Sequence, residues 1–113
     1  MAWRGAGEFD RNTVVFTGTG NYAMGNERTL VLNKASGAAT TVTLPANPRL
    51  GQRATVKDGK RDARQNNITI QGAASATIDG LSTVVIKVEG SAVEFEWNGT
   101  EWNLVGVVLG SDR

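Results

Sequence analysis

Glu94 and Glu96 are the residues best placed for chemistry, because acids two positions apart on a strand point to one face. Two carboxylates across a sugar-binding cleft are the apparatus of a glycosidase. Asp58 and Asp62, within the loop from Lys57 to Asn67, have a spacing that invites comparison with a calcium loop. Each pattern also has a plainer source. In Val93-Glu94-Phe95-Glu96-Trp97 the acids alternate with large apolar residues, which is the solvent face of a half-buried strand. Lys60, Arg61 and Arg64 crowd the two aspartates, and no glutamate closes the loop at EF-hand spacing. The chain has no Cys and no His. That removes thiolate and imidazole metal sites, Cys nucleophiles and every His-dependent triad or general base. The expectation is a binding or structural module that is not an enzyme, with no cofactor and no metal.

Charge and aromatic placement suggest how such a module meets its partners. A basic region runs from Arg49 through Lys60, Arg61 and Arg64, while Glu89, Glu94, Glu96 and Glu101 load the last third with acid. The net charge is +1, which argues against nucleic acid. The two regions could complement each other between copies, the acidic face of one subunit against the basic loop of its neighbour, in a symmetric homo-oligomer packed head to tail. Alternatively the basic loop is solvated, or touches an acidic surface polysaccharide. Trp3 sits in a Gly-rich arm outside any strand pattern and is a candidate anchor into another subunit, or it folds back onto its own domain. The candidate interface residues are therefore Trp3, Arg49, Lys60, Arg61, Arg64, Glu94 and Glu96. No run of about 20 apolar residues is present, so membrane insertion is not expected. The first residues lack the apolar segment of a secretory signal. Asn67-Ile68-Thr69 and Asn98-Gly99-Thr100 match the glycosylation sequon but read better as strand and turn. Gly18-Thr19-Gly20 precedes no helix and is no dinucleotide fingerprint.

The elements that must position these residues are strands. The 113 residues, 40% hydrophobic and 20% charged, are the size and composition of one globular domain. Apolar and β-branched runs occur at 13–17, 29–32, 40–44, 53–57, 68–70, 76–78, 84–88, 93–97 and 101–105. Pro45 and Pro48 stop the third, and Asp58-Gly59, Asp79-Gly80 and Asn98-Gly99 mark turns. Asn98-Gly99 predicts a two-residue hairpin turn, flanked by Trp97 and Trp102, which can pair across the hairpin and are both expected to be largely buried. Eight or nine short strands at about ten-residue spacing predict an all-β fold, an antiparallel β-sandwich of jelly-roll-like form. Residues 1–12 read as a docking arm, 13–108 as the sandwich and 109–113 as a tail.

One ordered set of short motifs is distinctive. Thr43-Leu44-Pro45, Gly51-Gln52, Val56-Lys57-Asp58-Gly59, Asn67-Ile68-Thr69-Ile70, Thr77-Ile78-Asp79-Gly80 and Asn98-Gly99-Thr100-Glu101-Trp102 follow in this order. The succession resembles a small β-module of spike, fibre and appendage proteins in tailed bacteriophages and phage-like particles, gene transfer agents among them. It covers roughly residues 40 to 105; the segment before about residue 28 has no counterpart.

The resemblance implies a virion structural role without catalytic residues. The expected function is the base or adaptor of a head spike or fibre, exposed on the particle surface after assembly in the bacterial cytoplasm and aiding host-cell attachment. Its partners would be capsid or tail proteins, a longer fibre chain and host surface polysaccharide. The rival from another class is a carbohydrate-binding β-sandwich that adheres to a cell-surface glycan.

Overall fold

The structure is a computed structural model and describes residues 12–110. Among these the chain forms nine strands: β1 (Thr13–Phe16), β2 (Tyr22–Ala23), β3 (Thr29–Leu32), β4 (Thr40–Thr43), β5 (Arg53–Asp58), β6 (Ile68–Gln71), β7 (Thr83–Ile86), β8 (Ala92–Trp97) and β9 (Trp102–Val108). Up to β6 the chain alternates between two sheets. One has the order β1-β3-β5-β8-β9, the other β2-β4-β6-β7. Their facing sides enclose one apolar core, so the molecule is an all-β sandwich as the pattern of runs predicts.

The sense of the strands differs from the expectation. β1-β3, β3-β5, β2-β4 and β4-β6 pair in parallel, and only β5-β8, β6-β7 and β8-β9 are antiparallel. A jelly roll is assembled from antiparallel Greek keys, so that connectivity does not describe the first six strands. The cause is the route of the chain. Each strand is followed by one in the opposite sheet, and the chain returns to the first sheet running in its original direction. Alternation along one strand reports which face is buried and carries no information about the neighbour's direction.

Parallel stacking puts like residues in rows. Across the first sheet the register aligns Val14, Leu30, Val56, Val93 and Val107. Across the second it aligns Tyr22, Val42, Ile70 and Val84. Leu30, Val42, Val56 and Ile70 are wholly buried, each side chain contributing about 1.5–3 kcal/mol of transfer free energy. One row ends in a carboxylate, because Asp58 on β5 lies beside Leu32 on β3.

Two local expectations also change. Ala76-Thr77-Ile78 forms no strand; Ile78 makes isolated bridges to Leu81 and Trp102. The chain has just left a 3₁₀ turn at Ala73–Ser75 and turns back at once, with Asp79 and Gly80 at positive φ. The β8-β9 connection spans four residues, since Trp97 pairs with Trp102. Asn98 organises it: its Oδ1 accepts from the Thr100 and Glu101 amides at 2.8 and 2.9 Å. Trp102 is wholly buried, whereas Trp97 is only half-buried and meets it edge-on at 5.4 Å between centroids.

Candidate functional site

Arg53 opens β5 directly opposite Glu96 on β8, with Glu94 opposite Thr55 one step along the same face. Arg53 donates to Glu96 at 3.3 Å and lies 3.5 Å from Glu94, and Arg28, just before β3, reaches Glu94 at 3.1 Å. Four charges thus alternate across the outer face of the five-stranded sheet. Cross-strand pairs of opposite sign contribute roughly 0.2–1 kcal/mol each. Glu94 and Glu96 are already held by the chain's own arginines, which sequence reasoning missed. The signal was a cation at the start of each of two strand runs, Arg28 just before one and Arg53 opening the other, but their partners lie 66 and 43 residues away.

The same arginines form one wall of a cleft of about 740 Å³. Arg28, Arg49 and Arg53 line it, together with the amides of Asn12, Asn26, Asn47 and Gln52. The β4-β5 connection gives it shape. Asn47 and Gly51 take positive φ, the Gln52 amide donates to the Arg49 carbonyl at 2.8 Å, and the Arg49 amide donates to Gln52 Oε1 at 3.0 Å. A further bond from the Gly51 amide to the Trp97 carbonyl, at 2.8 Å, ties this turn to β8.

Arg49 is therefore separated from Lys60, Arg61 and Arg64, with which the sequence seemed to group it. The first precedes β5 and the others follow it, and six extended residues span about 17–20 Å. The basic stretch is two surfaces. At the far one, Arg61 and Arg64 are exposed and Lys60 is half-buried.

Asp58 explains the shape of that second loop. It is only 1% exposed, and its carboxylate accepts from the backbone amides of Arg61 (3.0 Å), Ala63 (2.9 Å) and Gly90 (3.0 Å). These bonds hold Arg61 in the left-handed region at φ 64° and fasten the loop to the β7-β8 connection. Asp62 accepts from Asn66 Nδ2 at 2.8 Å. The two acids whose spacing invites comparison with a calcium loop act as separate loop fasteners. Trp3, the proposed arm anchor, lies outside the described residues.

A third feature lies at the β9 edge of the five-stranded sheet. β9 is an edge strand there, and among the described residues β8 is the only strand that pairs with it. Val107, in register with buried Val93, is consequently 51% exposed, and Val108 and Leu109 are 67% and 61% exposed. Between β7 and β9 an apolar groove of about 240 Å³ is lined by residues including Val84, Val88, Val93, Leu104, Val107 and Leu109. No charged residue occurs from Trp102 to Gly110.

Tyr22 is the remaining group with an altered ionisation. Its hydroxyl is pushed up to about 12, first by burial, then by donating a 2.7 Å hydrogen bond to Glu27 and by that residue's charge. Glu27 also accepts from the Gly25 amide at 2.8 Å, so this pair closes the β2-β3 turn. It is a structural clasp facing the core edge, well placed to stay neutral.

No protein-family model matches the chain, and no curated protein matches it.

Proposed function

We propose that this chain is a non-enzymatic structural subunit of a phage or phage-like particle, the base or adaptor of a head spike or fibre that aids attachment to the host cell. The observation that carries the reading is the exposed, apolar edge strand β9. Seven residues of edge strand, with exposed Val105, Val107 and Val108 and no charge, are what a protein acting alone would blunt with lysine, proline or a covering loop. A subunit that buries this edge against a second copy or another particle protein has no need of such devices. The ordered motifs between residues 40 and 105 add the particle context, and Trp3 and the exposed Arg61 and Arg64 remain secondary interface candidates.

The test is incorporation. Val107→Lys places a charge near the C-terminal end of β9, at the half-exposed end of its row, and leaves the buried members of that row unchanged. It should fold with an unchanged circular dichroism spectrum, fail to self-associate in light scattering, and be missing from purified particles of the source cell. A variant that incorporates at the wild-type level would overturn the role of β9, and absence of the wild-type chain from every particle would overturn the particle reading itself.

A second reading, a carbohydrate-binding adhesion module, is favoured by the arginine- and amide-lined cleft where β3 and β5 begin.

A further inference from the structure

We propose that the cleft between Arg28, Arg49 and Arg53 binds the carboxylate groups of an acidic polysaccharide. The assignment rests on the carbohydrate-binding reading above and is independent of assembly through β9.

The lining selects the ligand class. Three arginines from three separate segments line one open cleft, and among the described residues no acid lines it. A guanidinium offers five N–H donors in a planar fork that matches a carboxylate. Glu94 and Glu96 use part of this capacity on Arg28 and Arg53, and in doing so fix where both side chains stand. Positioned donors lose less freedom on binding than mobile ones. Arg49 meets no acid among the described residues and is the donor best placed to take a carboxylate outright.

The other walls narrow the choice further. Side-chain amides of Asn12, Asn47 and Gln52 both donate and accept, which suits hydroxyl groups. Among the described residues no aromatic ring lines the cleft, and these present no platform for stacking nucleic-acid bases. A chain alternating carboxylates and hydroxyls, as a polyuronate does, uses every group the cleft presents. The cleft is open and, among the described residues, two of its three arginines already meet acids, so each site should bind weakly. Copies assembled on a particle would gain through multivalency.

Polygalacturonate serves as the probe, with neutral dextran and single-stranded DNA as comparisons, in biolayer interferometry on the whole chain. Binding of polygalacturonate at low salt is expected, weakening as salt is raised. Arg49→Ala should weaken it about 10-fold or more, the loss of one charge-assisted hydrogen-bonding group. Arg64→Ala, beyond the far end of β5, should leave it unchanged, and both variants should keep the wild-type melting temperature. Equal binding of DNA, or equal loss in Arg64→Ala, would show nonspecific attraction to polyanions and overturn the proposal. Dextran binding without polygalacturonate binding would overturn the carboxylate assignment while keeping the carbohydrate reading. Failure to bind either glycan would overturn both.

Discussion

Removing the Asp58 carboxylate should be among the most damaging single changes in this protein. The side chain occupies a row that is otherwise apolar, beside Leu32, and accepts hydrogen bonds from three backbone amides. Asp58→Ala strands those donors. A buried donor left without a partner costs about 1–3 kcal/mol, and the loop will relax enough to recover some of it. A loss of about 3–5 kcal/mol is expected, a large share of the roughly 5–15 kcal/mol that holds such domains together. Asp58→Asn separates charge from geometry. One oxygen remains, and placed at the Oδ2 position it keeps the Ala63 and Gly90 bonds while an NH₂ group opposes the Arg61 amide. That variant should lose about 1–3 kcal/mol. Urea unfolding at neutral pH measures both, with the midpoint shifting and the slope unchanged. Hydrogen exchange should quicken at the Ala63 and Gly90 amides. If Asp58→Ala costs less than about 1 kcal/mol, or if the Asn and Ala variants are equal, the carboxylate is not what fastens the loop.

Three further outcomes are expected. The single Tyr22 phenol should ionise near pH 12, read from phenolate absorbance. Because the folded value lies above the unfolded one of about 10, its stabilising effect is complete below pH 10 and disappears as pH rises through 12. Glu27→Gln should bring the midpoint only part of the way back, since burial remains, and an unshifted midpoint would remove Glu27 from the account. Trp102→Ala should cost about 3–5 kcal/mol and Trp97→Ala clearly less, because only Trp102 is wholly buried; thermal melts showing the reverse order would refute the hairpin packing. Adding EDTA should leave the melting temperature unchanged, since the Asp58 oxygens are occupied by backbone amides; a drop of many degrees would reveal an oxygen-ligand cation site.

Strand positions, buried faces and the all-β class were legible in the sequence because they depend on alternation within single segments. Val93-Glu94-Phe95-Glu96-Trp97 declares its inward face without reference to any other residue. Two-residue β2 left no comparable signal, since a period needs more than one repeat to be seen. Turn chemistry was half legible. Asn98-Gly99 announced a reversal, but Asn98 capping two later amides made the loop four residues long.

Everything that depends on what lies beside a strand was decided by tertiary structure. The parallel pairing of the first six strands follows from the chain crossing between sheets, which leaves no mark on local composition. The acids of β8 look solvent-facing in sequence, and they become an ion-pair ladder only once Arg28 and Arg53 are brought alongside. Arg49 looks like the start of the basic stretch that contains Arg61, and β5 carries the two apart. Val107 falls outside the alternation that Trp102 and Leu104 set; a register shift between β8 and β9 brings it beside buried Val93, where it remains half-exposed at the sheet edge. Periodicity is a property of one chain segment and its own backbone, whereas charge partners, edges and clefts are made by segments far apart in sequence, and only packing brings those together.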